Sequence, residues 1–441
     1  MLASRLADLE AQSCKPSRYV IAFSGGLDST VLMHCIANLA AAQVNGPGVP
    51  VVAIHVDHGL HEDSAAWNEH CANFAANLAV QYQCLRVTVP TTTGKGLEAA
   101  AREVRYAALS TQLKPGDWLL SAHHREDQSE TLLMNLIRGS GPAGIAGIAA
   151  ARPLAAGWLI RPLLDVDQAS LAEYAGRASL EWIEDPSNTD RRFDRNFLRH
   201  EVLPRLRERW PNVAQRLQRS AGHASEASEL LIDLAGIDLE ALGGDALRLP
   251  VDGLGALSPA RQRNVLRFAV RELRLPMPPA QQLERIVREV IPARVDAEPL
   301  VSWPGAAVRR YRNTLYCLPE YLAADIEAHA MIDGELALGT GLGRLQLVED
   351  AEIGVSKELV GAGLTIRARL GGEEFKPLGQ SHTRKLKKLL QEAGVVPWMR
   401  DRLPLVYCGE RLVAVGDLWL AADAVSKPGV ALRWIDRPAL H

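Results

Sequence analysis

Tyr19-Val20-Ile21-Ala22-Phe23-Ser24-Gly25-Gly26-Leu27-Asp28-Ser29-Thr30 passes from an apolar run through two glycines into a helix-forming stretch. The apolar run suits a strand buried on both faces of a parallel sheet. The glycines let the backbone come close to a ligand. A helix expected from Thr30 to Leu39 turns free N–H groups and the positive end of its dipole toward the loop. Such a place holds anions, and a pyrophosphate group fits it. Ser24, Ser29 and Thr30 can add hydroxyl contacts. Asp28 is repelled by phosphate unless a cation intervenes. It is therefore a Mg²⁺ contact, a group that orients the loop, or simply an acid at a helix N-terminus. No GK[ST] occurs here, which excludes a Walker A loop.

Working outward, further strands are expected at Pro50–Val56, Gln81–Val89, Asp117–Ala122 and Trp158–Ile160. Helices are expected at Ala65–Leu78 and Leu97–Leu113. The strand ends Phe23, Val56, Val89 and Ala122 are each 33 residues apart, the length of a strand plus its crossover helix. The expectation is an α/β fold with an open, doubly wound parallel sheet. Ligands bind such sheets beyond the carboxyl ends of the strands. Two further motifs follow strand ends directly: Val56-Asp57-His58-Gly59-Leu60 and His123-His124-Arg125-Glu126-Asp127-Gln128-Ser129-Glu130-Thr131. Between them lies Ala100-Ala101-Arg102-Glu103-Val104-Arg105-Tyr106. Asp127 and Glu130 share a helix face. They suit Mg²⁺ or an incoming ammonium, or form a solvated face. Arg102 and Arg105 also share a face, either to neutralise a departing pyrophosphate or as ordinary surface charges. Gly139-Ser140-Gly141-Pro142-Ala143-Gly144 matches GxGxxG but follows an expected helix, Asp127–Arg138, rather than a strand. It reads as a loop near the site or a capping turn.

Beyond Pro162 the strand pattern gives way to helical segments, among them Asp167–Ala178, Asp194–Arg209 and most of Ala214 to Val290. A short β stretch, Ala307–Leu318, ends this part. A small α+β unit follows Leu364, with a helix at His382–Ala393 and Gly394 after it as a C′ residue. The 441 residues carry a net charge of −3, so no global field points to nucleic acid. Locally, residues 191–219 hold nine arginines against three acids, and residues 361–411 hold ten cations against five acids. Two such segments can hold a polyanion at two places, or each can be a solvated helix face. The six cysteines form no CxxC pair, which argues against a zinc site or disulfide framework. No apolar run is long enough to span a bilayer, and residues 1–18 lack a signal-peptide core. The expected location is cytoplasmic.

The hexapeptide Ser24–Ser29 resembles the PP-loop of ATP pyrophosphatases, which cleave ATP between the α- and β-phosphates to activate a substrate oxygen as an adenylate. The Asp57–Leu60 loop, the Arg102–Tyr106 helix, the His123–Thr131 motif, Arg138–Gly141, Glu184-Asp185-Pro186-Ser187-Asn188 and Arg195-Asn196 occur in the order found in tRNA(Ile)-lysidine synthetases, over about residues 19–210. Leu257–Leu318 resembles that family's helical middle domain. Ile366–Trp419, with Arg369, Gly371-Gly372-Glu373 and Lys385, Lys387 and Lys388, resembles its C-terminal tRNA-binding domain. The resemblance implies a catalytic domain at 1–212, a helical tRNA-binding domain at 213–320, a linker at 321–355 and a C-terminal domain at 356–441. It implies ATP as co-substrate, Mg²⁺, L-lysine, a CAU-anticodon tRNA(Ile) and a homodimer. Ser24, Gly25, Gly26, Leu27, Asp28 and Ser29 would hold ATP, and Asp28 and Asp127 would place Mg²⁺. Arg102, Arg105, His124, Asp127 and Glu130 would form the pocket for cytidine or lysine. Arg195, Arg199, Arg384, Lys385, Lys387 and Lys388 would contact tRNA. A tRNA thiolase on the same fold would be expected to carry paired cysteines, and a small-molecule synthetase would leave the basic segments unexplained.

Overall fold

In the computed structural model, described for residues 2–42, 48–59, 61–90, 97–320, 329–331, 334–339 and 341–440, the chain divides into two compact units, Met1–Leu230 and Leu231–His441. The first opens with helix α1 (Leu2–Gln12). Strand β1 (Arg18–Ala22) then leads through the glycine loop into α2 (Leu27–Ala41). Next come β2 (Val51–Asp57), α3 (Ser64–Asn77), β3 (Gln81–Arg86), α4 (Leu97–Ser110) and β4 (Asp117–Leu120). Helices α5 (Arg125–Ile137) and α6 (Pro142–Ile145) follow, then the hairpin β5 (Ala151–Leu154) and β6 (Gly157–Ile160), and α7 (Gln168–Arg177).

The sheet order is β3-β2-β1-β4-β6-β5. All neighbours are parallel except β5 against β6. Alternate residues of β1 enter different cores. Ile21 packs with Leu32, Met33, Ile36 and Trp118 on one face, and Val20 packs with Val52, Leu109 and Leu119 on the other. Burial on both sides is why the run is continuously apolar. The connections reverse direction at β1. Strand β2 lies on one side of it and β4 on the other, so the loops after β1 and β4 open into one crevice. Strand β5 was not foreseen. It is a four-residue antiparallel edge strand whose two central residues, Arg152 and Pro153, are exposed, and it carries no periodic signal of its own.

The expected helix 194–209 is broken. Asp194–Phe197 is α-helical, Leu198–Val202 is a π-turn segment, and Leu203–Arg209 is α-helical with Pro204 in its first turn. Proline supplies no N–H for the preceding turn, so the local register widens there. A helix from Val213 to Ala241 runs across the division between the units.

The second unit holds the expected helix Pro259–Glu272. It also holds a four-stranded antiparallel sheet ordered Arg248–Pro250, Thr314–Pro319, Ala306–Tyr311 and Leu300–Trp303. Two five-stranded antiparallel sheets and one two-stranded sheet build the C-terminal part. Residues 321–328, 332–333 and 340 of the range read as a linker lie outside the described residues, as does Leu60. Within that range Arg344–Ala351 pairs with Gly429–Ile435. The helix expected at His382–Ala393 starts only at Leu386. Arg384 and Lys385 instead form a strand against Glu374 and Phe375. Leu386, Leu389 and Leu390 are buried as expected, and Gly394 takes a positive φ of 76° after the helix.

Candidate active site

The glycine loop is built from local hydrogen bonds. Ser29 Oγ donates to the Gly26 carbonyl at 3.0 Å and lies 3.1 Å from Ser24 Oγ. Thr30 Oγ1 donates to the Gly25 carbonyl at 3.2 Å. Gly25 has φ +81°, and a Cβ there would lie 2.6 Å from Ile183 Cδ1 and 2.8 Å from Cys71 Sγ. Only glycine fits both the dihedral and the space. The Ile183 N–H donates to the Gly25 carbonyl at 2.9 Å, so the stretch before Glu184 clamps the loop from outside the motif. Gly26 caps α2 without a side-chain hydrogen bond. The first N–H groups of that helix therefore face the crevice.

Across the crevice, α5 buries five consecutive polar residues, Glu126 to Glu130. A solvated helix face is therefore excluded for Asp127 and Glu130. The helix is capped by His124, whose backbone N–H donates to Asp127 Oδ2 at 2.9 Å. His124 Nε2 lies 3.5 Å from Asp28 Oδ2, and its Nδ1 lies 3.0 Å from Glu126 Oε2. The Glu126 N–H also points at Nδ1 from 3.3 Å, but one nitrogen cannot donate and accept along these two directions at once. Burial opposes charge on His124. The carboxylates of Glu126, Asp127 and Asp28 outweigh it and raise the pKa, so Nδ1 donates to Glu126. Burial is likewise the largest influence on Glu126, yet His124 and the Gln168 N–H hold its pKa down. Arg207 Nη2 meets Glu126 Oε1 at 3.0 Å.

Glu130 is fully buried. Its Oε1 accepts from Arg199 Nε at 2.6 Å and its Oε2 from Arg195 Nε at 2.7 Å. Asp127 Oδ1 accepts from Arg195 Nη2 at 2.7 Å and Arg199 Nη2 at 3.2 Å. The cations facing these two acids are thus guanidinium groups. Burial pushes the Asp127 pKa up, but His124, Arg195 and His123 bring it below the ordinary value. Arg195 and Arg199, expected at the RNA, keep only their edges exposed, at 22% and 26%. Arg102 and Arg105 lie over the Tyr106 ring at 5.1 and 5.6 Å. Burial would raise the Tyr106 pKa, but Arg102, Arg161 and Arg105 lower it. His123 is held neutral by burial, with Nδ1 2.7 Å from Ser121 Oγ.

The fit of a Mg²⁺ ion can be tested on Asp28. Its Oδ1 is buried and accepts no hydrogen bond. Burial raises its pKa, and Asp127 and Glu126 add to this against His124 and Arg199. An unmet carboxylate oxygen beside an anion loop suits a cation. Among the described residues no group of three or more His, Cys, Asp or Glu side chains could hold a metal alone. Mg²⁺ commonly takes one or two carboxylates and completes its shell with phosphate and water, so Asp28 with a bound triphosphate fits. Both Asp127 oxygens are already engaged.

Glu126, Arg207, Ile183, Cys71 and Arg161 were missed as site residues. Glu126 lies inside the His123–Thr131 motif, Arg207 inside the arginine-rich segment 191–219 and Ile183 directly before Glu184-Asp185-Pro186, whereas Cys71 and Arg161 come from distant segments and leave no local signal. On the C-terminal part Arg384 is paired with Glu392, while Lys385, Lys387 and Lys388 are exposed. The GxGxxG segment divides between a turn after α5, with Gly139 at φ +70°, and the first residues of α6, for which Gly141 is the N-cap. Gln128 Nε2 donates to the carbonyls of Ala146 and Ile148 at 3.3 and 3.2 Å, tying that turn to the helix.

Below the loop, burial lowers the pKa of His55 against the pull of Phe23 and Asp57, and burial with Arg105 lowers that of His58. The unfolded chain thus binds protons that the folded chain refuses. Stability from these groups is full above about pH 6.5 and falls as pH drops below it toward the lowered values. His124 acts in the opposite sense. The thermal midpoint of His55→Asn is expected to fall less than that of the parent between roughly pH 7.5 and 5.5. Parallel curves would remove His55 from the account.

The switch-point crevice, the glycine loop and the α2 N-terminus define a PP-loop, ATP-using α/β enzyme, and the PP-loop domain model matches residues 2–206. Models described as the TilS substrate binding domain and the TilS substrate C-terminal domain match residues 249–316 and 364–434. The tRNA(Ile)-lysidine synthase of Alkalilimnicola ehrlichii is 43% identical over 422 residues, 94% of this chain and 93% of its own. That of Methylococcus capsulatus is 40% identical over 427 residues, 95% and 96% of the two chains. A solved structure similar in part is the U34-tRNA thiolase NcsA from Methanococcus maripaludis, at 14% identity and TM-score 0.42, covering 51% of this chain and 78% of its own. The chain belongs to the tRNA(Ile)-lysidine synthase family, a family of ATP-dependent ligases. No described helix is long and apolar enough to cross a membrane.

Proposed function

We propose that this protein ligates lysine to C2 of the wobble cytidine in a CAU-anticodon tRNA(Ile), changing decoding from AUG to AUA. The reading is carried by the meeting of Asp28 with His124 at the switch point, in a chain matched to lysidine synthases over most of its length. Cytidine O2 attacks the α-phosphorus of ATP and diphosphate leaves. The lysine amine then attacks C2, AMP leaves with O2, and the amine gives up a proton. Residues 24–29 cradle the phosphates, and Asp28 would hold Mg²⁺, which would supply neutralising charge. Arg102 and Arg105 stabilise charge on the departing diphosphate. Asp127 and Glu130 hold Arg195 and Arg199 in place. His123 is neutral and belongs to no guanidinium pair, so it is suited to accept the proton. The edges of Arg195 and Arg199 face the RNA, and Lys385, Lys387 and Lys388 hold a second part of it.

The test is incorporation of [¹⁴C]lysine into a CAU isoleucine tRNA transcript with ATP and Mg²⁺, with the methionine tRNA as control. Label in the isoleucine tRNA alone is expected. AMP release without label would replace lysine by another nucleophile. Neither label nor AMP would sink the reading.

A further inference from the structure

The proposed reaction leaves the corner at Arg209–Asn212 unused. There the helix Leu203–Arg209 ends and the helix Val213–Ala241 begins. Leu203, Val213 and Ala214 are buried beneath it. Trp210 is not buried with them. Of nine tryptophans in the chain it alone is counted among the exposed large apolar residues, at 46%. The exposure is not fraying. The Trp210 N–H donates to the Leu206 carbonyl at 2.8 Å, and its carbonyl accepts from the Val213 N–H at 2.9 Å. Pro211 restricts the residue before it to extended conformations, and Trp210 has φ −131° and ψ 85°. The ring is therefore presented to solvent by a fixed backbone.

Its surroundings are cationic. Arg209, Arg216 and Arg219 are exposed, and among the described residues no carboxylate pairs with them. Glu208 is the one acid at the corner. Arg216 and Arg219 stand three apart on one helix face. Arg207, three residues before Trp210, reaches Glu126 at 3.0 Å, so the corner is tied to the α5 cluster. An exposed aromatic ring flanked by unpaired arginines is the chemistry that holds unpaired nucleotides, the ring stacking on a base and the cations tracking phosphates. Duplex RNA offers no accessible base face. Resting on the tRNA reading above, we propose that Trp210 stacks on an unpaired nucleotide next to the reacting cytidine, with Arg209, Arg216 and Arg219 on the adjoining phosphates.

The full-length protein is titrated with a CAU anticodon stem–loop RNA and with a fully paired RNA of equal length. Trp210→Leu, which keeps apolar bulk but loses the π face, is expected to weaken stem–loop binding roughly tenfold. Trp210→Phe is expected to stay near the parent, and neither variant should alter duplex binding. Arg216→Ala and Arg219→Ala should each reduce the slope of log affinity against log salt by about 0.7, while Trp210→Leu leaves that slope unchanged. If Leu and Phe bind the stem–loop equally well, or if Leu weakens both RNAs alike, Trp210 is a packing residue and the proposal fails. If the parent protein binds neither RNA, the tRNA reading itself fails, a separate result.

Discussion

Asp28→Asn is expected to lower ATP–pyrophosphate exchange in the presence of the CAU isoleucine tRNA by about 10³-fold, the scale of losing one preorganised electrostatic contact to a transition state. The substitution keeps shape and removes charge. Asp28 Oδ1 is buried with no partner, and Oδ2 has His124 Nε2 at 3.5 Å, so the protein leaves one oxygen of this carboxylate unmet. Burial raises its pKa. For an acid whose folded pKa is raised, stability is full below the unfolded value and is lost as pH rises through the folded one. At neutral pH the charged Asp28 carboxylate therefore bears a burial cost that asparagine relieves. The thermal midpoint of Asp28→Asn at pH 7 should be no lower than that of the parent, while turnover collapses. The exchange assay should be run across a Mg²⁺ series. Near-parental exchange at every Mg²⁺ concentration would show that Asp28 is only a helix-terminal acid.

Glu130→Ala has the largest expected effect on stability. The carboxylate is fully buried and accepts from both Arg195 and Arg199. Truncation leaves two partly buried guanidinium groups with only Asp127 between them. Breaking a buried pair by removing one partner costs about 3–5 kcal/mol, because the remaining charge loses its compensation while its desolvation persists. In a unit of this size that lowers the melting temperature by roughly 6–20 °C. Lysine incorporation should also fall by at least about 100-fold, since a displaced guanidinium misplaces the reacting groups. Because the groups form one network, the double variant Glu130→Ala/Arg199→Ala should lose less stability than the sum of the singles. A Glu130→Ala protein that melts with the parent would mean the arginines find full compensation from Asp127.

Much of the catalytic unit was legible in the chain because its signals are local. The continuous apolar run at β1 reports burial on both faces of a parallel sheet. The two glycines after it report a close backbone approach, and the 33-residue spacing reports crossover helices. Helix ends were less legible. Arg384 and Lys385 form a strand rather than the start of a helix, because pairing with Glu374 and Phe375 overrides helix propensity, a weak preference that tertiary context outweighs. Strand β5 stayed invisible for the same reason, since pairing with β6 defines it.

By itself the sequence determined the fold class, through apolar runs at a regular spacing, and the anion loop and the His123–Thr131 motif, because each of these two rests on residues within a few positions of one another. Only the tertiary structure decided how they combine. It places Arg195 and Arg199 on Asp127 and Glu130, about 65 to 72 residues away along the chain, sets His124 against Asp28, and closes Ile183 and Cys71 over Gly25. Those pairings arise where connections reverse at β1 and bring the loops after β1 and β4 into one crevice. That juxtaposition is set by packing across the sheet and has no period or spacing in the chain that could announce it.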